Sequence, residues 1–246
     1  MNTIQFVILH TEMYAMLIPF FIALSKYKGA PQVTKMAILY ITVLTIQQLY
    51  VNALWYQKQN NFFLFHIGNV VQASTLLLMY REIFKKYVAD TNKYVYRQIF
   101  IVLIPLFIVF AVANAIYWQP LTAYPSNTRT VLSIMTLLFS TLFFHKHTYE
   151  PIPKSYREIP SHNASRSSLF WINMGLLWFH AFSLIQSLYT NIFLKELSKE
   201  AYINLAVAHA IFTIIFYIFF FIGFLKAKRV PKVTWEEEEK EEENKS

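Results

Sequence analysis

Histidine, glutamate and amide side chains interrupt the long apolar segments of this 246-residue chain, and they are the groups there that could do chemistry. Such side chains are costly inside a membrane-length segment, so they normally face other helices or a polar cavity. Ten of them are our candidate ligand-binding residues: His10, Glu12, Gln47, Gln48, Asn52, His66, Asn69, Gln72, His180 and His209. Their donors and acceptors suit a small molecule or an ion that enters from outside.

The placement of these residues favours one half of the molecule. Six of seven apolar segments contribute polar side chains to the half in which the first segment begins, whereas Asn173 is the one clear amide in the other half. His66 and Asn69 are three residues apart, as are His180 and Ser183, so each pair shares a helix face. The pattern predicts a polar cavity that opens outward. The alternative is that these groups hydrogen-bond to one another and only hold the helices together.

Glu12 provides the sharpest test of the cavity. It is the only carboxylate in the set, and a buried carboxylate without a partner would cost several kcal/mol. We expect no Lys or Arg at its depth. We therefore predict that Glu12 lies within hydrogen-bonding reach of at least one residue of a defined set: Gln47, Gln48, Asn52, His66, His180 and His209.

Other chemistries find little support in the sequence. The absence of cysteine excludes disulfides, thiolate metal sites and cysteine nucleophiles. There is no phosphate-binding loop, dinucleotide fingerprint or hydrolase motif, which predicts a non-enzymatic protein without a cofactor. Neutral imidazoles could still ligate haem or a metal, and His10, His66, His180 and His209, with Glu12, would then be the ligands. Against this alternative, no two of these histidines have a spacing that would fix both on one helix face.

Composition identifies the elements that must position these residues. Hydrophobic residues make up 56% of the chain and charged residues only 15%, against about 25% in soluble domains. This excludes a water-soluble globular fold, a disordered chain and a nucleic-acid-binding domain. A helix needs about 20 apolar residues to cross a bilayer. Seven segments qualify and predict an all-α, seven-helix polytopic membrane protein in the lipid bilayer: 4–25, 36–56, 62–80, 98–118, 127–144, 169–190 and 202–225.

Basic residues predict the orientation. Sixteen Lys and Arg residues flank the helix ends on one side, whereas only Lys58, Arg129, Lys195 and Lys199 lie on the other. Because cytoplasmic loops carry the excess of basic residues, the N-terminus is predicted outside and the C-terminus in the cytoplasm. We expect a multi-pass protein of a bacterial inner membrane. Residues 1–230 form the predicted transmembrane domain. Residues 231–246, with seven Glu, form a predicted disordered acidic tail.

Two stretches carry a family resemblance. The sequence LFWINMGLLW at 169–178 and the sequence LLLMYR at 76–81 resemble segments of small bacterial seven-helix membrane proteins that lie beside, or are fused to, sensor histidine kinases. The resemblance implies a non-enzymatic sensor or signalling accessory protein that acts through a separate partner such as a kinase, because no output domain follows Lys232. The alternative is a small-solute transporter with a three-plus-one-plus-three helix plan. A histidine-ligated haem or metal protein is the third possibility.

Overall fold

The computed structural model describes residues 3–85, 93–149, 167–193 and 199–227. Within these ranges the chain is helical and contains no strand, which confirms the predicted all-α class. A 3-10 turn at Tyr27–Gly29 joins the second helix to the third. The eight helices are α1 (Thr3–Ala15), α2 (Leu17–Lys26), α3 (Gln32–Tyr56), α4 (Phe62–Lys85), α5 (Lys93–Tyr117), α6 (Ser126–Tyr149), α7 (Ser168–Phe193) and α8 (Lys199–Lys226).

Seven segments of the described chain are long and apolar enough to cross a membrane. Helices α1 and α2 together form the first of them, and each later helix supplies one. The protein is therefore a multi-pass membrane helical bundle, with the spans close to their predicted positions. The predicted acidic tail at 231–246 lies outside the described residues.

Proline explains why the first span consists of two helices. Pro19 has no backbone N–H, so the carbonyl of Ala15 loses its normal helical donor and α1 ends there. Helical bonding resumes at once, since Phe20 N donates to Met16 O at 3.2 Å. The amide of Asn52 on α3 approaches the neighbouring Met13 carbonyl at 3.5 Å. The break lies one turn beyond Glu12.

Helices adjacent in sequence pack side by side, and α1 and α2 also pack against α8. We call the end where α1 begins the N-terminal end; the connections 57–61 and 118–125 also lie there. The opposite end holds the α2–α3 turn and the last turns of α4, α6 and α8. Helix α4 contacts α3, α5 and α6, so it lies near the centre of the bundle.

Aromatic side chains fill the half of the bundle near the opposite end. Phe84 stacks on Phe100 with ring centroids 5.9 Å apart, and Phe100 lies 5.0 Å from Phe139. On the other side of the core, Phe220 packs against Phe216 at 4.5 Å and Phe224 at 5.8 Å. A cavity of about 10 Å³ between α4 and α6 is at the lower limit for one water molecule. This half is therefore closely packed.

Two glycines allow α7 and α8 to approach closely. A Cβ atom at Gly223 would lie 2.7 Å from Ile172 Cγ1, and one at Gly175 would lie 2.9 Å from Phe219 Cβ. We predict that Gly175→Ala and Gly223→Ala each lower the free energy of unfolding by about 1–3 kcal/mol through overpacking. Reversible unfolding in mixed SDS micelles measures the loss. Gly29→Ala, in a turn with negative φ, is the control. Equal stabilities for all three variants would contradict this account of the interface.

Candidate functional site

The candidate site is centred on Arg129, which lies on α6 and is only 8% exposed. Its Nε donates to Ser183 Oγ at 2.7 Å, and its Nη1 donates to Gln72 Oε1 at 3.0 Å. Gln72 Nε2 in turn donates to Gln47 Oε1 at 2.7 Å. We call Gln47, Gln72, Arg129 and Ser183 the Arg129 cluster, and it joins α3, α4, α6 and α7. No carboxylate of the described residues lies within ion-pair distance of the guanidinium.

The Arg129 cluster lies well inside the bundle. Gln72 is ten residues after the start of α4 and Ser183 is ten residues before the end of α7. At 1.5 Å per residue, the cluster is about 15 Å from those helix ends. Arg129 nevertheless lies three residues after the start of α6. The α5–α6 connection therefore dips into the bundle, where His66 Nε2 on α4 hydrogen-bonds to Ala123 O at 3.0 Å.

Amide side chains fix this connection. Asn114 Nδ2 near the end of α5 donates to Gln119 Oε1 at 3.1 Å, and Gln119 Nε2 donates to Ser126 Oγ at 2.6 Å. Asn127 Nδ2 closes the network by donating to Asn114 Oδ1 at 2.9 Å. The network ties the end of α5 to the beginning of α6. It therefore sets the depth at which Arg129 enters the bundle.

Five of the ten predicted residues lie around the first turns of α6. Gln47 and Gln72 belong to the Arg129 cluster, and His66 holds the connection before α6. Asn69 Nδ2 donates to Thr128 Oγ1 at 3.1 Å. The fifth, His180, hydrogen-bonds through Nδ1 to Ser133 Oγ at 3.3 Å. Since these groups bond to one another, an open cavity among them remains a prediction.

His10, Gln48 and Asn52 lie elsewhere. His10 Nδ1 hydrogen-bonds to Phe6 O of its own helix at 3.0 Å. Gln48 Nε2 donates to Asn52 Oδ1 at 3.2 Å, one turn along α3. The hydrogen bonds of these three residues lie within their own helix or join α3 to α1. Within the described chain, none of them bonds to the Arg129 cluster.

The prediction for Glu12 is wrong. None of the hydrogen bonds among the described residues involves its side chain, which is half-buried in the last turn of α1. The physical reason is the order of the helices. Helix α1 packs mainly against α8, whereas most of the expected partners lie on α3, α4 and α7. The accompanying expectation that no Lys or Arg lies at the depth of Glu12 is also wrong, because Glu12 is nine residues into α1 and the Arg129 cluster lies at a similar distance from that end.

A spacing signal could have identified Arg129. Its helix carries a polar stripe at intervals of three or four residues, and each member is buried: Ser126, Arg129, Ser133, Thr136 and Ser140. Such a period is typical of one helix face that points into a bundle. Counting Arg129 with the loop charges concealed it, although residue 129 lies inside the predicted segment 127–144.

Buried polar atoms without partners occur on helices α3, α7 and α8 of the described chain. Tyr40 Oη, His180 Nε2 and His209 Nδ1 are buried and have no hydrogen-bond partner among the described residues. His180 hydrogen-bonds to Ser133, which lies one turn beyond Arg129 on α6. The ring of Phe179 lies 5.0 Å from the guanidinium carbon and 5.9 Å from the His209 ring. Near Arg129, buried imidazole nitrogens can therefore form further hydrogen bonds, and the Phe179 ring provides an apolar surface.

The described residues contain no set of side chains that could bind a metal ion. No group of three or more His, Cys, Asp or Glu residues there comes close enough together to hold a metal ion. His66 and His180 are engaged with α6 and its preceding connection, and His10 bonds to its own helix. The alternative with histidine-ligated haem or metal therefore gains no support from these residues.

Comparison with known proteins yields no relative. No family model, curated protein or solved structure matches this chain. The functional conclusion therefore depends on the geometry of the bundle.

A second polar link joins three of the helices of the Arg129 cluster. Tyr80 Oη on α4 donates to Asn173 Oδ1 on α7 at 3.0 Å and accepts from Ser140 Oγ on α6 at 2.7 Å. Asn173 Nδ2 donates to Leu169 O at 2.9 Å. We call Tyr80, Ser140 and Asn173 the Tyr80 link. Tyr80 is eight residues beyond Gln72 on α4, about 12 Å further toward the opposite end.

Removing the Tyr80 hydroxyl should loosen this link. We predict that Tyr80→Phe lowers the free energy of unfolding by about 1–2 kcal/mol, because Ser140 and Asn173 each lose a buried partner. Reversible unfolding in mixed SDS micelles provides the measurement. Tyr50→Phe, which removes the hydroxyl of an exposed side chain, is the matched control and should change little. Equal losses in the two variants would argue against a specific role for the link.

Proposed function

We propose that this protein is a non-enzymatic membrane sensor or signalling accessory protein. A ligand binds in the half near the N-terminal end, and a separate partner responds at the opposite end. The observation that carries the proposal is the burial of the Arg129 side chain, a cation. Among the described residues, its hydrogen-bond partners are all neutral. Burying a charge without a counter-ion costs stability. Ionisable side chains inside membrane spans commonly mark functional sites.

The arrangement of the helices supports coupling between the two ends. The Arg129 cluster and the Tyr80 link both join α4, α6 and α7, at two depths. A ligand that competes for the guanidinium would change how α4 or α7 packs on α6. The shift would be limited by the difference in the ligand's affinity for the two arrangements. The aromatic packing of the opposite half favours such a signal over passage of the ligand through the bundle.

Charge supports an orientation for this sensor. Lys26, Lys85 and Lys226 all end helices at the opposite end. Cytoplasmic helix ends carry most basic residues, so we place the opposite end in the cytoplasm and the N-terminal end outside. A bacterial inner membrane and a kinase or other signalling partner complete the proposal. Both follow from the resemblance of 169–178 and 76–81 to the kinase-associated proteins.

Transport is the second candidate, and the broken first span favours it. Discontinuous helices at mid-membrane commonly form the substrate sites of transporters. The break between α1 and α2 lies next to Glu12, and a three-plus-one-plus-three plan fits seven spans. Acetate, a small anion that can pair with the Arg129 guanidinium, is the probe: its uptake into proteoliposomes along an imposed gradient, lost in Arg129→Gln, would select transport over sensing.

Distance measurements between spin labels test the sensor proposal without a ligand. Because the chain has no cysteine, Lys85→Cys and Lys226→Cys give two unique labels at exposed positions of the opposite end. We expect Gln72→Leu, about 15 Å from the N-terminal end, to change the distance distribution between the labels. Gln48→Leu, outside the Arg129 cluster, should leave it unchanged. Identical distributions in the parent, Gln72→Leu and Gln72→Glu would overturn the proposal.

A further inference from the structure

We propose that Arg129 is the binding site for a small monovalent carboxylate, which takes the place of Gln72 on the guanidinium. The assignment deepens the proposed function, on which its signalling consequence rests, by naming the class of ligand. Four observations carry it: the missing counter-ion, the fork of donors, the unpartnered polar atoms and the mutual bond between Gln72 and Gln47.

The charges of the described residues leave Arg129 without a counter-ion. Glu82 pairs with Arg81 at 2.8 Å and with Lys85 at 3.8 Å, at the opposite end. Glu200 is exposed at the start of α8, and Glu12 lies on α1 without an ion pair. A single guanidinium in a medium of low dielectric constant attracts one negative charge strongly. The positive end of the α6 dipole adds to this attraction, so a monovalent anion fits the site.

The shape of the guanidinium favours a carboxylate among monovalent anions. Its planar fork of N–H donors matches the two oxygens of a carboxylate. The two donors that are engaged now bond to neutral oxygens on different helices, Gln72 on α4 and Ser183 on α7. A charged acceptor makes hydrogen bonds roughly twice as strong as these neutral ones, so it can displace them.

The neighbouring side chains can hold the rest of the ligand. His180 Nε2 and His209 Nδ1 are buried without partners among the described residues. His180 hydrogen-bonds to Ser133, one turn beyond Arg129 on α6, and the His209 ring lies 5.9 Å from the Phe179 ring that covers the guanidinium. Either imidazole N–H can donate to a second carboxylate lone pair. The Phe179 ring offers apolar contact to a short hydrocarbon body.

The Gln72 side chain would keep a hydrogen-bond partner after it leaves the guanidinium. Its Nε2 keeps the bond to Gln47 Oε1 at 2.7 Å, so the displaced side chain retains one partner. Gln47 packs over Gly68 of α4, where a Cβ atom would overlap its amide. Carboxylate binding would therefore keep α3 and α4 together while it removes one hydrogen bond between α4 and α6, so that the bonds of Asn69 and Tyr80 to α6 remain. The resulting shift of α4 on α6 is the change which the Tyr80 link would carry to the opposite end.

Thermal unfolding in nanodiscs of phosphatidylcholine tests the assignment with acetate as the probe. Sodium acetate replaces sodium sulfate at constant ionic strength, and acetamide serves as the neutral analogue of the same shape. We expect acetate to raise the melting temperature in a saturable way and acetamide to leave it unchanged. Dodecanoate distinguishes a lipid-borne source from a water-borne one, since it reaches the bundle from the bilayer.

Two variants and a control locate the effect. Arg129→Gln should weaken the apparent affinity for acetate by roughly 30-fold or more. Gln72→Glu should abolish the response although Arg129 remains, because its own carboxylate would occupy the fork. Lys58→Gln removes an exposed cation from the N-terminal end and should respond like the wild type.

The outcomes separate this assignment from the sensor proposal. A wild-type acetate response in Arg129→Gln, an equal response to acetamide, or no response to acetate or dodecanoate would overturn the carboxylate assignment. If the labels at positions 85 and 226 still respond to Gln72→Leu, the sensor proposal survives that failure. If acetate binds through Arg129 while the label distances never change, the assignment stands and the sensor proposal fails.

Discussion

Replacing Gln72 with leucine should lower the free energy of unfolding of the ligand-free protein by about 3 kcal/mol. The substitution removes the acceptor of Arg129 Nη1 and the donor to Gln47 Oε1 in one step. The guanidinium stays buried with Ser183 as its remaining hydrogen-bond partner among the described residues, and an incompletely satisfied buried charge is far more costly than a lost neutral hydrogen bond. Reversible unfolding in mixed SDS micelles provides the measurement.

A double-mutant cycle with Arg129→Met separates the charge from the packing. In the Arg129→Met background the same Gln72→Leu change should cost less than about 1 kcal/mol, since no charge is left unsatisfied. Gln48→Leu, whose hydrogen bond lies within α3, is the matched control and should cost little in either background. An equal cost of Gln72→Leu in both backgrounds would show that Gln72 stabilises the bundle through its packing and its bond to Gln47, and not by satisfying the guanidinium.

Replacing Phe220 with alanine should lower the free energy of unfolding by about 3–5 kcal/mol. The Phe220 ring is fully buried, contacts Tyr40 at 6.0 Å and Phe216 at 4.5 Å, and closes the half near the opposite end. Truncation would leave a cavity that the surrounding rings cannot fill without losing their own contacts. Closely packed interiors relax only partly around such a deletion.

The control lies two residues away on the same helix. Ile218 is 51% exposed on the outer surface of α8, so Ile218→Ala removes side-chain bulk without opening a cavity in the core. It should cost less than about 1 kcal/mol. Similar losses for Phe220→Ala and Ile218→Ala in the same unfolding experiment would contradict the packing described for the opposite half.

The helices were predictable because a bilayer leaves few choices. Every backbone polar group must be satisfied within the spanning segment, so a sufficiently long apolar stretch predicts a helix. The segments at 36–56 and 62–80 coincide with most of α3 and α4 for this reason. The break at Met16 follows from the missing N–H of Pro19, which is also visible in the sequence.

The partners of individual side chains were harder to predict, because they depend on which helices are neighbours. His66, Asn69 and Gln72 share a helix face, but nothing local in the sequence indicates that this face meets α6. Glu12 fails for the same reason, since α1 packs on α8. Arg129 lies near the start of α6, so its charge was assigned to the loop although the polar stripe on α6 indicates a buried face, and the inward dip of the α5–α6 connection then sets its depth.

The polar stripe along α6 also affects how the protein enters the membrane during synthesis. The α6 span has the lowest mean hydropathy of the seven, 1.2, whereas the α5 span before it has the highest, 2.9. An isolated α6 would partition less readily into lipid than the other spans, because Arg129 near its start and the stripe of serine and threonine along it lower its hydropathy. Helix α5 emerges first, and the network of Asn114, Gln119 and Ser126 ties it to α6. We therefore expect the translocon to release α5 and α6 together as a helical hairpin. Contact with α5 would keep the polar α6 in the membrane until α7 is inserted and Ser183 can accept a hydrogen bond from Arg129.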